Sequence, residues 1–336
     1  MNRPVVAMGC VAALVLAIAG GGRVSAEDPG WPQWRGPNGD GISHETDWDP
    51  AALTGGPRIL WKAKVGAGYS GVATRGDRVY TIGSLDSAFR VFCLDANTGR
   101  NVWQYVDRKG GIQDTLSTPT LSDDSVYALT SAGLLYCVDA RSGRLRWKSD
   151  LVADCGAVEP FYGFAGSPVL ERDLVILTAN SHGLALNRKT GRKVWVSERP
   201  PTPSSGSSTG TAYATPVMYT RDGVRHALIR SLEGLHSVVA ATGALAWTFK
   251  WETPAVHSVT DPLVLDGKLL ATEFFSADIE CVLLDITGPQ PRVLWKNASL
   301  CSDISTGVAI NGYFYGCNGG PEGYHGAELR CLELAT

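Results

Sequence analysis

Six tryptophans, Trp61, Trp103, Trp147, Trp195, Trp247 and Trp295, recur at intervals of 42 to 52 residues along this 336-residue chain. Before three of them stands nearly the same phrase: LDANTGRNVW at Leu94, VDARSGRLRW at Val138 and LNRKTGRKVW at Leu186. A phrase written several times is architecture before it is chemistry, and this period suits a four-stranded unit, not a helical repeat of about 34 residues. The residue types explain the phrase. Asp95, Asp139 and Thr98 can bond backbone groups a residue or two on and so imitate a turn. Gly99, Gly143, Gly191 and Gly243 supply the positive φ of a tight hairpin. The strand that follows carries an indole large enough to seal the gap between two sheets.

Each interval opens on a Ser/Thr/Asp-Pro step: STPTL at Ser117, GSPVL at Gly166, ATPVM at Ala214 and TDPLV at Thr260. Proline is tolerated at the first residue of a strand, where no ladder donor is lost. A polar turn, a second apolar run, a loop and a third run then lead to the Thr-Gly turn and the tryptophan strand. Helical periodicity is absent. Four antiparallel strands per repeat, arranged radially so that few edges are exposed, make an all-β fold: a β-propeller of about six visible blades. The pattern frays at Val239, which replaces the motif Asp, and in LLDITGPQPRVLW, where the turn is one residue shorter and Trp295 follows Gly288 by seven. Arg199–Thr211 is a polar insertion expected to be a surface loop.

Residues 1–26 read as a signal peptide, with Arg3, the apolar run Val5–Ala19 and a cut after Ala26. Residues 27–57, containing WPQWRGPNGDG, lack strand periodicity and are expected to form an extended leader packed on the ring. The propeller takes residues 58–336. At CLELAT the chain stops where earlier repeats continue to a tryptophan strand. Two readings follow. Arg58–Val65 supplies the outer strand of the last blade, or a ring of seven or eight blades has been cut short; an ending inside a turn motif favours the second.

Seven cysteines follow the cleavage site. Cys93, Cys137 and Cys331 occupy one repeated position and are expected to be small buried hydrophobes. Cys301 and Cys317 fall within one repeat and could pair in an oxidising compartment. No CxxC, haem-attachment or zinc spacing occurs. A net charge of −3 leaves no basic footprint for nucleic acid.

The A-x-D-x-x-T-G-x-x-x-W phrase resembles the tryptophan-docking motif of pyrroloquinoline-quinone (PQQ) repeat propellers, from Leu60 to the C-terminus. WPQWRGPNGDGIS and YGCNGGPEGY look like exported proteins of the PQQ-binding-like class described as similar to the outer-membrane assembly lipoprotein BamB. The resemblance implies one of two branches: quinoprotein dehydrogenases holding PQQ and calcium, or cofactor-free propellers that bind partner proteins. The first is marked by adjacent cysteines over the quinone, which this sequence lacks. The expectation is therefore no PQQ, no calcium and no catalytic residues.

In a propeller the loops leading into the innermost strands share a face with those joining second and third strands. Here that face carries Tyr69, Asp114, Tyr162, Tyr213, His257, Asp261, Glu273, Asp303 and Asn318. Aromatics beside polar groups suit a protein- or ligand-binding funnel. His257 with Asp261 lacks a nucleophile and a defined geometry, and the Gly-rich GCNGGPEGY precedes no helix, so it is not a phosphate loop. The reading is an exported, non-catalytic scaffold binding a protein of the cell envelope. The alternatives are a PQQ/calcium dehydrogenase and a carbohydrate- or small-ligand-binding propeller.

Overall fold

The computed structural model describes residues 30–46, 49–108, 115–198, 213–251, 259–273, 280–302, 304–319 and 328–335. Among them lie six antiparallel sheets in chain order. Sheet I spans residues 73–107, sheet II 120–150, sheet III 169–196, sheet IV 217–250, sheet V 263–297 and sheet VI 308–333. Sheets I to V have four strands each, paired in simple sequential order, and sheet VI has three. Helical structure in the described residues is one short 3₁₀ turn, Pro50–Leu53, capped by Asp49 Oδ1 on the Ala51 amide at 2.9 Å. The expected β-propeller is the observed fold.

Each repeated phrase is the hairpin between the third and fourth strands. The Asp95 carboxylate accepts from the Asn97 and Thr98 amides and from Thr98 Oγ1, at 3.1, 2.9 and 2.8 Å. Asp139 does the same with Arg141 and Ser142, and Asn187 with Lys189 and Thr190. The Asp95 carboxyl is held below the usual carboxylate value chiefly by the Thr98 hydroxyl, and the Asp139 carboxyl by Arg146 first and then by Ser142. The hairpin at Val239 keeps its shape without the motif Asp, the Gly243 amide donating to the Val239 carbonyl at 2.8 Å and the Ala244 amide to Thr242 Oγ1 at 3.3 Å.

The tryptophans join neighbouring sheets. Trp103 Nε1 donates to the Ala140 carbonyl at 3.0 Å, Trp147 to Arg188 at 2.9 Å, Trp195 to Ala240 at 2.9 Å and Trp295 to Leu334 at 3.4 Å. In each case the acceptor directly follows the motif position of the next sheet. For Trp103, Trp147 and Trp195 the indole face lies on the next sheet's turn glycine. A Cβ built on Gly143 would stand 2.4 Å from Trp103, and those on Gly191 and Gly243 would each stand 2.6 Å from Trp147 and Trp195. The glycine therefore serves twice, by its positive φ and by its bare face.

Trp247 departs from this rule. Its Nε1 donates to Tyr219 Oη of its own sheet at 3.2 Å, and no ring lies near Gly288. In sheet V Gly288 follows the motif Asp by three residues instead of four, within a longer connection between the strands, and Arg221 Nη1 takes its carbonyl. Trp247 remains buried among Leu269, Val282, Leu284 and Ile286 of sheet V.

Arg58–Val65 forms no strand. Trp61 nevertheless donates to the Ala96 carbonyl at 2.8 Å and lies on Gly99, the position an outer-strand tryptophan takes at the other seams. Cys93 and Cys137 are buried as expected, whereas Cys331 is exposed, as are Tyr313, Tyr315 and Leu329 of the same sheet. Burial drives the Cys93 thiol up to about 11. The Cys301–Cys317 pairing that the sequence allowed is not formed: Cys317 is an exposed thiol, and Cys301 is buried.

Candidate functional site

The residue before each opening proline builds a belt around the axis. The Thr118 amide donates to Ser167 Oγ at 2.9 Å and the Ser167 amide to Thr215 Oγ1 at 3.1 Å. The Thr215 amide donates to Asp261 Oδ1 at 2.7 Å and the Asp261 amide to Thr306 Oγ1 at 2.9 Å. Four consecutive seams, from sheet II to sheet VI, are thus tied at the hub by one side-chain oxygen apiece. The Ser/Thr/Asp-Pro steps carried this signal in the sequence, but only the proline was read there.

Asp261 is the acidic member of the belt, and it has a second task. Its Oδ2 accepts from Trp34 Nε1 of the leader at 2.5 Å. Burial pushes its carboxyl up from the ordinary value, opposed by Trp34, the Thr215 amide, Arg35 and Arg230. The leader lies against the innermost strands. Trp31 exchanges backbone bonds with Thr74 of sheet I, and the Pro32 carbonyl accepts from the Leu121 amide of sheet II. Arg35 donates to the carbonyls of Thr306 and Gly307 before sheet VI, at 3.2 and 2.9 Å. It also holds the Gly39 and Asp40 carbonyls, folding the leader back on itself. The leader expected to pack on the ring occupies its hub.

The face expected to carry partners divides into two kinds of residue. Tyr69 is 79% exposed, with its amide donating to the Thr115 carbonyl at 2.7 Å. Tyr162 is 51% exposed and meets Phe161, 63% exposed, edge to face at 4.8 Å. Phe161 was missed in the sequence although it stands beside Tyr162. Tyr213 is buried behind them, with its Oη accepting from the Tyr162 amide at 3.2 Å, so it orients the exposed pair. Ile304 adds another exposed apolar side chain on a loop leading into sheet VI.

Two of the expected binding acids are structural. Asp261 lies in the hub, and Glu273 is buried in an ion pair with Arg230 at 2.5 Å, with side-chain exposures of 3% and 2%. Arg230 also donates to Thr260 and to the Thr272 carbonyl and lies 5.2 Å from the Trp251 ring. This saturation is what makes a buried charge tolerable. Asn318 Oδ1 accepts from the Cys301 amide at 2.8 Å, shaping its own sheet. Asp114, His257 and Asp303 lie outside the described residues, as does the Arg199–Thr211 insertion. Among the described residues no group of three or more His, Cys, Asp or Glu side chains converges as metal ligands would.

Comparison with known proteins agrees with this geometry. Residues 87–234 match the family described as outer membrane protein assembly factor BamB. The fold matches the crystal structure of BamB from Moraxella catarrhalis at 20% identity and a TM-score of 0.54, over 79% of this chain and 70% of that one. The chain is a β-propeller, and the family's repeats are matched over residues 87–234. The propeller also matches quinohemoprotein alcohol dehydrogenase from Comamonas testosteroni, at 15% identity and a TM-score of 0.55, over 86% of this chain and 47% of that one. A europium-containing methanol dehydrogenase matches at 13% identity and 0.61, over 87% and 69%. This propeller thus spans about half the length of the alcohol dehydrogenase. At these identities the likenesses establish fold. No curated protein sequence matches the propeller.

Proposed function

We propose that the propeller is an exported, non-catalytic scaffold that docks a protein of the bacterial cell envelope on the face bearing Tyr69, Phe161 and Tyr162. The observation that carries this reading is the exposure of these three rings on loops tied by hydrogen bonds to neighbouring loops, at Thr115, Ser131 and the Tyr213 hydroxyl. Rigid exposed aromatics supply contact area at low entropic cost, as interface anchors do. The likeness to BamB supports an envelope partner, and the apolar N-terminus supports export.

The residues present do not fit a quinone and calcium. The sequence has no adjacent cysteine pair, and Asp261, an acid of the hub, has both carboxylate oxygens engaged by Trp34 and Thr215. We therefore read the propeller as cofactor-free. Added PQQ and calcium should confer no dye-linked oxidation of alcohols or sugars, and turnover of either class would reverse this reading.

Photocrosslinking tests the docking face. A benzophenone side chain at position 161 should give a discrete protein adduct in intact cells, and one at Asp222, on an opposite-face turn, should not. Adducts of equal yield at both positions, or none at 161, would reject the docking face.

A further inference from the structure

A cavity of about 360 Å³ separates the leader from the innermost strands of sheets III and IV. Trp34, Asn38, Pro168, Thr215, Met218 and Arg225 are among its lining residues. The leader bonds to the inner edges of sheets I, II, V and VI, so this space lies where the hub is not filled by direct contact. Its volume lies in the range of small-molecule sites.

The indole of Trp34 is unusually well fixed for a ring that remains 40% exposed. Asp261 Oδ2 holds its Nε1. The belt itself asks for a single acceptor, which Ser167, Thr215 and Thr306 provide with hydroxyls. A carboxylate at that position carries a desolvation cost that a hydroxyl would avoid, and its extra oxygen serves Trp34. The chain thus places a second acceptor oxygen in the hub, and its added effect is to fix one aromatic ring beside a cavity. That is preorganisation, which raises affinity by removing ordering costs from binding.

The charged groups at the cavity are already paired. Arg225 donates to Glu171 Oε2 through Nε and Nη2, at 3.1 and 2.9 Å, and Arg35 is committed to four carbonyls. The cavity therefore offers an aromatic platform, the Asn38 amide and the Thr215 hydroxyl, with no charge left to neutralise. We propose that this hub cavity binds a neutral saccharide, its ring stacked on Trp34 and its hydroxyls met by polar groups of the leader and of sheets III and IV. The proposal is independent of the docking face, which lies on other loops.

Calorimetric titration of the signal-free protein with glucose, maltose, cellobiose and N-acetylglucosamine tests it. At least one should bind saturably with a dissociation constant of millimolar or below. Trp34→Ala should weaken that binding at least tenfold, and Trp34→Phe should retain part of it. Asn38→Ala, at an exposed position outside the ring strands, should weaken it severalfold and decides the matter if Trp34→Ala fails to fold. Glucuronate and glucosamine should bind more weakly than their neutral counterparts. No saturable binding by any neutral sugar, or affinity unchanged in Asn38→Ala and Trp34→Phe alike, would overturn the proposal. Tyr69→Ser should leave sugar binding intact while reducing docking, so failure of one reading is distinguishable from failure of the other.

Discussion

Gly143 shows what the repeat asks of a single residue. Its φ of 69° disfavours any side chain, and the Trp103 ring occupies the space a side chain would fill. Gly223 has a similar φ of 75° with nothing within 4 Å of a built Cβ. Gly223→Ala should cost about 1 kcal/mol, the backbone penalty alone. Gly143→Ala should cost about 2 kcal/mol more, because overpacking adds to that penalty. Chemical denaturation of the two variants separates the two terms, and equal losses would show that the ring does not rest on the glycine. The turn at Asp95 was legible because side-chain chemistry within four residues determines it. The indole's bond to a carbonyl of the next sheet was not, because its partner lies 37 to 45 residues away.

At the scale of elements, the belt of pre-proline side chains ties one sheet to the next. Ser167→Ala would leave the buried Thr118 amide without its acceptor and should cost about 1–3 kcal/mol. The paired turns of sheets III and IV carry a second device. His236 lies 6.0 Å from His182, with Nε2 on Ser231 Oγ and Nδ1 facing Thr248 Oγ1. Burial, then the neighbouring His182, lowers the His236 imidazole to about 4, against an ordinary value of 6.5. Burial also lowers His182 and His226. The unfolded chain therefore binds more protons than the folded one between about pH 4 and 6.5. Stability is full above that window and falls as pH drops through it, by about 3 kcal/mol at pH 4 from His236 alone. His236→Gln should flatten this part of the stability–pH curve, and an unaltered slope would show that His236 is not buried neutral. Nothing in the sequence marked this pair, since only the packing of sheet III against sheet IV brings His182 and His236 together.

For the whole molecule, periodicity disclosed the number and order of sheets before any coordinates, because each repeat must bury its faces against its neighbours. The leader was the larger surprise. WPQWRGPNGDG has no strand pattern, and its role is set by Asp261 and the Thr306 and Gly307 carbonyls, more than 200 residues away. A chain lacking residues 27–45 should melt at lower temperature than the signal-free protein, and an unchanged melt would show that the leader does not hold the hub. The candidate face was legible in part. Tyr69 and Tyr162 are exposed, whereas Asp261, just before sheet V, and Glu273, at the end of its second strand, are buried against neighbouring sheets.

The central claim is that the repeats build the ring and the exposed loop aromatics perform the docking. A benzophenone probe at position 69, carried in the otherwise native protein and in the Phe161→Ser/Tyr162→Ser variant, separates the two. The account predicts that the variant melts within about 2 °C of the native protein, since both rings are largely solvent-exposed, while its adduct yield falls at least tenfold. An undiminished adduct from the folded variant would contradict it.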